Sequence, residues 1–426
     1  MPDRSQQPTV QQLEGYTPQS PLCHTLANGV VVNFFENSCL DLIHLVIRIK
    51  AGILYEPQKR VAAFTYELLK ESHPAMTSAE LDDFFDYYGA TVTTVCHFEY
   101  MSLNVQVPKK NLEKILPVVA DLLRAPRFQS DNLERYRGKS IQDFEYYAQK
   151  TDYRASQRML NAYFGKDLPY GKILERSDIE MVTLDLLEAY HQRTCHAGNI
   201  RLFITGNLSA GELSMIEKNF EDIPVGEKLP DLPDVGLHFE PSRIAETWEN
   251  AMQTSLVLCR PSLPYLDPDT HCYRFLTTIF CNYFGSRLMQ NLRETNGCTY
   301  GVSGSTLYYS AGSLFSIESE VNNDKVSVAL DECFKEMKRL CDEPVGEEEL
   351  ELVRNYLVGT SLRSIDGTVA YLQTYMPWDD FGCSSIRFVD FLQEISRITA
   401  ADVQCMAQRL LQPEAFTVIT IGAPSE

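Results

Sequence analysis

Ile200-Arg-Leu-Phe-Ile-Thr-Gly206-Asn-Leu-Ser209 and Phe416-Thr-Val-Ile-Thr-Ile-Gly422-Ala-Pro-Ser425 close the two halves of this chain in the same way, each an apolar run stopped by glycine. A short run of that composition, ended by glycine, predicts a buried strand. Before each lies a helical pattern, over 186–193 and 401–411. Further upstream the first half offers an apolar strand over 43–49, a helix, a second helix ending at Gly89, two strands through Val107, and a helix from about Leu112. The second half repeats the order: a strand over 255–258, a helix from about His271, a second helix ending at Gly297, two strands through Val321, and a helix from about Lys325. Gly89 and Gly297 lie 208 residues apart, and Gly206 and Gly422 lie 216 apart. Spacing that consistent marks a worn duplication.

Locally joined strands mixed with helices, without strict alternation, predict an α+β fold: two tandem homologous α/β-roll-like domains with mostly antiparallel sheets. Pro224, Pro230, Pro233 and Pro241 fall in a polar stretch near the middle of the chain, which predicts an N-terminal domain over 1–222, a linker over 223–243 and a C-terminal domain over 244–426. The charged stretch 130–163 and the acidic segment from Glu347 both predict helices.

The chain has 426 residues, 44% hydrophobic and 23% charged, which suits two or three globular domains and argues against wholesale disorder. Its formal charge of −20 repels phosphate backbones and anionic lipid, and no basic run exceeds a pair such as Lys109-Lys110. Neither nucleic acid nor a membrane is therefore expected as a partner. No run approaches the roughly 18–20 apolar residues that span a bilayer. Residues 1–20 lack the apolar core of a signal peptide. The twelve cysteines are scattered, form no Cys-x-x-Cys pair and sit mostly among apolar residues, so reduced thiols and a cytoplasmic setting are expected.

The order of elements resembles the pitrilysin/insulinase family of zinc peptidases, which includes the mitochondrial processing peptidase, over nearly the whole chain from about Gln19. In that family the helix after the first buried strand carries His-x-x-Glu-His, within Leu-Ala-His-Phe-Leu-Glu-His-Met; the histidines bind zinc and the glutamate takes a proton from the bound water. The matching stretch here is Val61-Ala62-Ala63-Phe64-Thr65-Tyr66-Glu67-Leu68. Ala63 stands for the first ligand, Tyr66 for the base and Glu67 for the second ligand. Val61, Phe64, Thr65, Leu68 and Leu69 follow the period of a core face, so Ala63, Tyr66, Glu67 and Lys70 are expected on the opposite face. Alanine has no lone pair, neutral tyrosine is a poor base, and one carboxylate is too few ligands for a catalytic zinc. The family's third ligand, a glutamate about 76 residues downstream, falls where Asp143 and Glu145 sit.

No other cluster replaces this set. His191, Cys195 and His196 fit an ordinary helix terminus better than a metal site, and His97 fits a surface or cross-strand position. The chain has no Gly-x-Ser-x-Gly elbow, phosphate loop or dinucleotide fingerprint, and no cysteine carries a local nucleophile signature.

The second half keeps more. Gly285-Ser-Arg-Leu-Met-Gln-Asn-Leu-Arg293-Glu-Thr-Asn-Gly297-Cys-Thr-Tyr300-Gly-Val resembles the family signature Ser-Arg-Leu, then Leu-Arg-Glu-x-x-Gly-Leu-Ala-Tyr-Ser-Val. Arg293 and Tyr300 keep the spacing of the family's Arg and Tyr, which hold the substrate carbonyl near the zinc of the other half. Both side chains can donate to an oxyanion. Taken by spacing alone, Arg293 fits better as a surface helix residue paired with Glu294 or an acidic neighbour, and Tyr300 as a strand aromatic on a half-buried face. Gly297 is the expected left-handed helix stop. Thr93 occupies the place of a family Asn that binds peptide backbone, which weakens peptide recognition by the first half.

The resemblance implies two domains facing each other as a clamshell, and a subunit without metal or cofactor of its own. It would join a homologous zinc-motif-bearing partner, the zinc lying in that partner, and would act on an extended peptide. The alternative is a non-catalytic scaffold of the kind found among processing-peptidase-like core subunits.

Overall fold

The computed structural model describes residue 16 and residues 18–37, 41–231 and 237–423. Most of the segment read for a signal peptide, residues 232–236 of the expected linker, and Ser425 lie outside the described residues. Two sheets are present among the described residues. The first contains β1 (Leu22–Thr25), β2 (Val31–Glu36), β3 (Leu42–Ile49), β4 (Thr91–Cys96), β5 (Met101–Pro108) and β6 (Ile200–Gly206), in the order β1-β2-β6-β3-β5-β4. The second contains β7 (Arg243–Thr247), β8 (Gln253–Pro261), β9 (Thr299–Tyr309), β10 (Gly312–Asn322) and β11 (Thr417–Gly422), in the order β7-β11-β8-β10-β9. Only β2 with β6 and β7 with β11 run parallel; the other neighbours are antiparallel. The α+β duplication read from the sequence is thus present in the topology.

The repeated glycines have repeated reasons. Gly89 and Gly297 adopt φ of +63° and +56°, the left-handed geometry that a side chain resists. At Gly206 a Cβ would meet Ile43 Cδ1 at 2.5 Å, and at Gly422 it would meet Thr254 Oγ1 at 2.1 Å. Each half therefore needs its strand to pass a neighbour at close range. The halves differ just before these turns: the element before Gly89 is a full helix, Ser78–Tyr88, whereas the one before Gly297 is a π-helical turn, Met289–Thr295.

Side chains alternate across a strand, so the central apolar runs face two ways. In the first sheet Ile43, Leu45, Ile47, Leu202 and Ile204 face the helices of their own half. Phe35, Val46 and Phe203 face the opposite side, where the helix Thr368–Asp380 from the second half lies on them. Phe35 meets Tyr371 and Tyr375 edge to face at 5.5 and 4.9 Å. The second sheet reciprocates. Leu256, Leu258, Phe315 and Ile317 face their own helices, while Val257, Cys259, Ile419 and Ile421 pack with Ala155, Met159 and Tyr163 of the helix Thr151–Phe164 from the first half. Each half lends a helix to the other's sheet.

Ion pairs pin the lent helices. Arg48 reaches Asp380 at 2.8 Å and Arg201 reaches Asp379 at 2.5 Å, while Arg154 and Arg158 both engage Glu246. Burial is the larger influence on Asp380 and raises its pKa to about 6 against the pull of Arg48. The stretch read as a linker is also tied down: Pro224 O accepts from Ala197 N at 2.9 Å, Leu229 N donates to Asn199 Oδ1 at 3.0 Å, and Lys50 pairs with Asp231.

Because each sheet depends on the other half's helix, Phe203→Ala is expected to cost about 3–5 kcal/mol, as deletion of a fully buried aromatic does. Both halves should still unfold in one transition. Denaturant unfolding followed by fluorescence and circular dichroism checks this; two separated transitions in the wild type would contradict the interlock.

Candidate functional site

The helix Val61–Leu69 begins at Arg60, which holds a positive φ of 76° although it is not glycine, a conformation costly enough to be worth noting. Its opening N–H groups find a partner in Glu56, whose Oε2 accepts from Ala62 N at 3.0 Å. Burial is the main influence on Glu56 and raises its pKa to about 7.

The three motif positions separate. Ala63 lines a cavity of about 200 Å³ together with Glu56, Gln58, Arg60 and Tyr153. Glu67 is held from two sides: its Oε1 pairs with Lys70 Nζ at 2.5 Å and its Oε2 accepts from Thr94 Oγ1 at 2.9 Å. Tyr66 corrects the sequence expectation. It does not share the face of Ala63 and Glu67 but is fully buried, sharing a 2.6 Å hydrogen bond with Thr194 Oγ1 and meeting Tyr190 edge to face at 6.1 Å. The helical period assumed one core face, but this helix also packs against the helix Leu184–Thr194. Burial drives the Tyr66 phenol well above its ordinary pKa, so it remains a neutral core group.

The downstream carboxylates do not complete a site. Asp143 and Glu145 are exposed, Glu145 pairs with Arg176, and Phe144 between them is the residue that packs on the first core. His191 is buried beside Phe128, and burial lowers its pKa to about 4. His196 bonds Asn199 Nδ2 at 3.0 Å, and the Cys195 thiol is pushed up to about 12 by burial. Among the described residues no group of three or more His, Cys, Asp or Glu could hold a metal ion. An alanine, a core tyrosine bonded to threonine and a glutamate already tied to lysine do not fit the zinc that the motif's place implies.

The second-half motif is built differently. Leu288 and Leu292 anchor the π-helical turn in the core, and Asn291 braces it by donating to Glu332 Oε2 at 2.7 Å and Glu336 Oε1 at 3.1 Å. Turns of this kind interrupt helices often at functional sites. Arg293 projects from it, partly exposed, with its guanidinium 4.9 Å over the Phe284 ring and its Nε 3.3 Å from Glu294 Oε1. Gly297 then reverses the chain, and Cys298 N closes the turn on Leu292 O at 2.8 Å. Tyr300 follows on β9, an edge strand, and is 87% exposed. Its hydroxyl makes no hydrogen bond among the described residues. Sequence reasoning named Arg293 and Tyr300 and did not single out Glu56, Thr94 or Thr194, whose partnerships join elements apart in the chain.

Glu56 sets a pH dependence. Between about pH 4.5 and 7 the native protein holds a proton on Glu56 that the unfolded chain has released. Its contribution to stability is greatest below that window and falls, by about 3 kcal/mol in total, as pH rises through it. Glu56→Gln cannot ionise. It should match the wild type near pH 4.5 and be the more stable protein at pH 8, as measured by urea midpoints; a difference independent of pH would contradict the assignment.

Known proteins match along the same lines. The family model described as insulinase (peptidase family M16) matches residues 40–177, and the one described as peptidase M16 inactive domain matches residues 181–357. An uncharacterized zinc protease of Rickettsia bellii is 25% identical, covering 92% of this chain and 96% of its own. The beta subunit of the mitochondrial-processing peptidase of Dictyostelium discoideum is 20% identical over 93% of this chain and 88% of its own. The crystal structure of a peptidase M16 inactive domain from Pseudomonas fluorescens superposes with a TM-score of 0.87 at 21% identity, covering 95% of this chain and 98% of that one. With both matching models drawn from one family and spread across both sheets, the chain belongs to the insulinase family, peptidase family M16.

Proposed function

We propose that this chain is the non-zinc-binding subunit of a heterodimeric zinc metallopeptidase, in which a homologous partner carries the zinc motif and this chain supplies Arg293 and Tyr300. The observation that carries the reading is the contrast between the two motifs. Tyr66 has been absorbed into the core and Glu67 tied to its neighbours, whereas Tyr300 stays exposed with its hydroxyl unspent. A guanidinium and a phenol at that place can both donate to the oxyanion formed when a peptide carbonyl is attacked. The name of the Dictyostelium relative, a peptidase subunit, supports work as part of an assembly.

The substrate on this reading is an extended peptide. Both sheets end in open edges, β4 in the first and β9 in the second, and an edge strand can accept a peptide as an added strand. Thr93 is exposed on β4, where a hydroxyl cannot both donate and accept across an amide, so peptide binding rests more on β9 and Tyr300. The described cysteines are all free, which supports a reducing, cytoplasmic setting. Among the described residues no helix is long and apolar enough to cross a membrane.

The test is turnover per assembled complex with the zinc-bearing partner. Arg293→Ala or Tyr300→Phe should lower it by roughly 10²- to 10³-fold, the usual cost of losing one oxyanion donor, while size-exclusion chromatography shows assembly unchanged. Complexes that assemble and turn over at the wild-type rate would contradict the reading and leave a scaffold role.

A further inference from the structure

A second cavity, of about 340 Å³, lies in the other half, and its chemistry differs from that beside Ala63. The two hold equivalent places: each sits between the first long helix of its half and the helix which that half lends to the other sheet. In the first half these are Val61–Leu69 and Thr151–Phe164; in the second they are Thr270–Phe280 and Thr368–Asp380. The duplication thus produced two such spaces, and they have diverged.

The second cavity is lined by Arg274 and Arg387 and, among the described residues, by no aspartate or glutamate. That is unexpected in a chain of net charge −20. Arg274 has its guanidinium carbon 4.4 Å from the Phe391 ring centre, and Arg387 has its own 4.5 Å from that of Tyr265, with a further hydrogen bond to Tyr265 O. Among the described residues neither has a carboxylate partner. Arg274 keeps much of its surface open to water, yet surrounding protein desolvates it and holds its pKa below the ordinary arginine range. Glu394, bonded to His271 Nδ1 at 2.6 Å, does not line the space. Ser361 does line it; that residue is 3% exposed and its Oγ has no hydrogen-bond partner among the described residues.

Arg274 and Arg387 face this space with no carboxylate beside them among the described residues, so a bound anion would supply the missing counter-charge. An arginine pair fits a carboxylate or phosphate head, which it can grip with several charge-assisted hydrogen bonds. The walls formed by Tyr308, Trp378 and Phe388 would hold an apolar or planar body, and the volume suits a small molecule. We propose that this cavity binds a small organic anion, its carboxylate or phosphate between Arg274 and Arg387 and its body against the aromatic wall. The site is separate from Arg293 and Tyr300 and stands whether or not the chain serves a peptidase.

The test titrates the full chain by calorimetry with phenyl phosphate, benzoate and neutral benzamide. At least one of the two anions should bind saturably at one site per chain and benzamide should not. Phenyl phosphate alone would assign a phosphate head, benzoate alone a carboxylate head, and either supports the proposal. Arg274→Gln and Arg387→Gln should each weaken binding about tenfold or more, the worth of a charged hydrogen bond. A chain with Trp248→Phe keeps Trp378 as its sole tryptophan, so a saturable change in its fluorescence reports the same event even if an arginine variant does not fold. The proposal is overturned if neither anion binds, if benzamide binds equally well, if folded Arg274→Gln binds as the wild type does, or if Trp378 does not respond.

Discussion

Everything else in this structure depends on the reciprocal loan of two helices. Phe35, Val46 and Phe203 on one sheet, and Val257, Cys259, Ile419 and Ile421 on the other, would be bare apolar surface without the helix that the opposite half contributes. Covering both faces of each sheet lets the central strands be apolar without interruption, and it makes the two halves one folding unit. It also fixes where spaces can remain. Both cavities sit where a lent helix passes the first helix of its own half, so their walls come from elements far apart in the chain.

Within that frame the two motifs have had opposite fates. The helix bearing Ala63, Tyr66 and Glu67 is packed on more than one side, and the base position lies within that packing. Tyr66 now bonds Thr194 in the interior. Restoring a glutamate at that position would bury a carboxylate, which is why reversing the three substitutions is harder than the helix pattern alone implies. The Arg293–Tyr300 segment is anchored from beneath by Leu288, Leu292 and Asn291, leaving Arg293 partly exposed and Tyr300 at the surface. Core pressure does not reach them.

Much of the fold was legible because duplication prints the same constraint twice. Gly89 and Gly297 share a left-handed turn, Gly206 and Gly422 share a close approach, and the spacing of each pair survives divergence. The exchange of helices was not legible. An uninterrupted apolar strand says that both faces are covered but not by which helix, and the polar stretch near Pro230 looks the same whether it joins independent domains or runs along an interlocked pair. Tyr66 was misplaced for a related reason, since a 3.6-residue period locates one core face and cannot report a second. The Met289–Thr295 turn departs from that period altogether. Arg274 and Arg387 carry no local pattern, because what sets them apart is that no carboxylate pairs with them among the described residues.

The central claim is that the residues at the place of the zinc motif do not fit the family's metal. The direct measurement is elemental analysis of the full chain, purified without chelator from zinc-supplemented cells and dialysed against metal-free buffer. The donors at Ala63, Tyr66 and Glu67 predict far less than one zinc per chain and no change in melting temperature when a chelator is added. About one zinc per chain, with a melting temperature that drops on chelation, would contradict it.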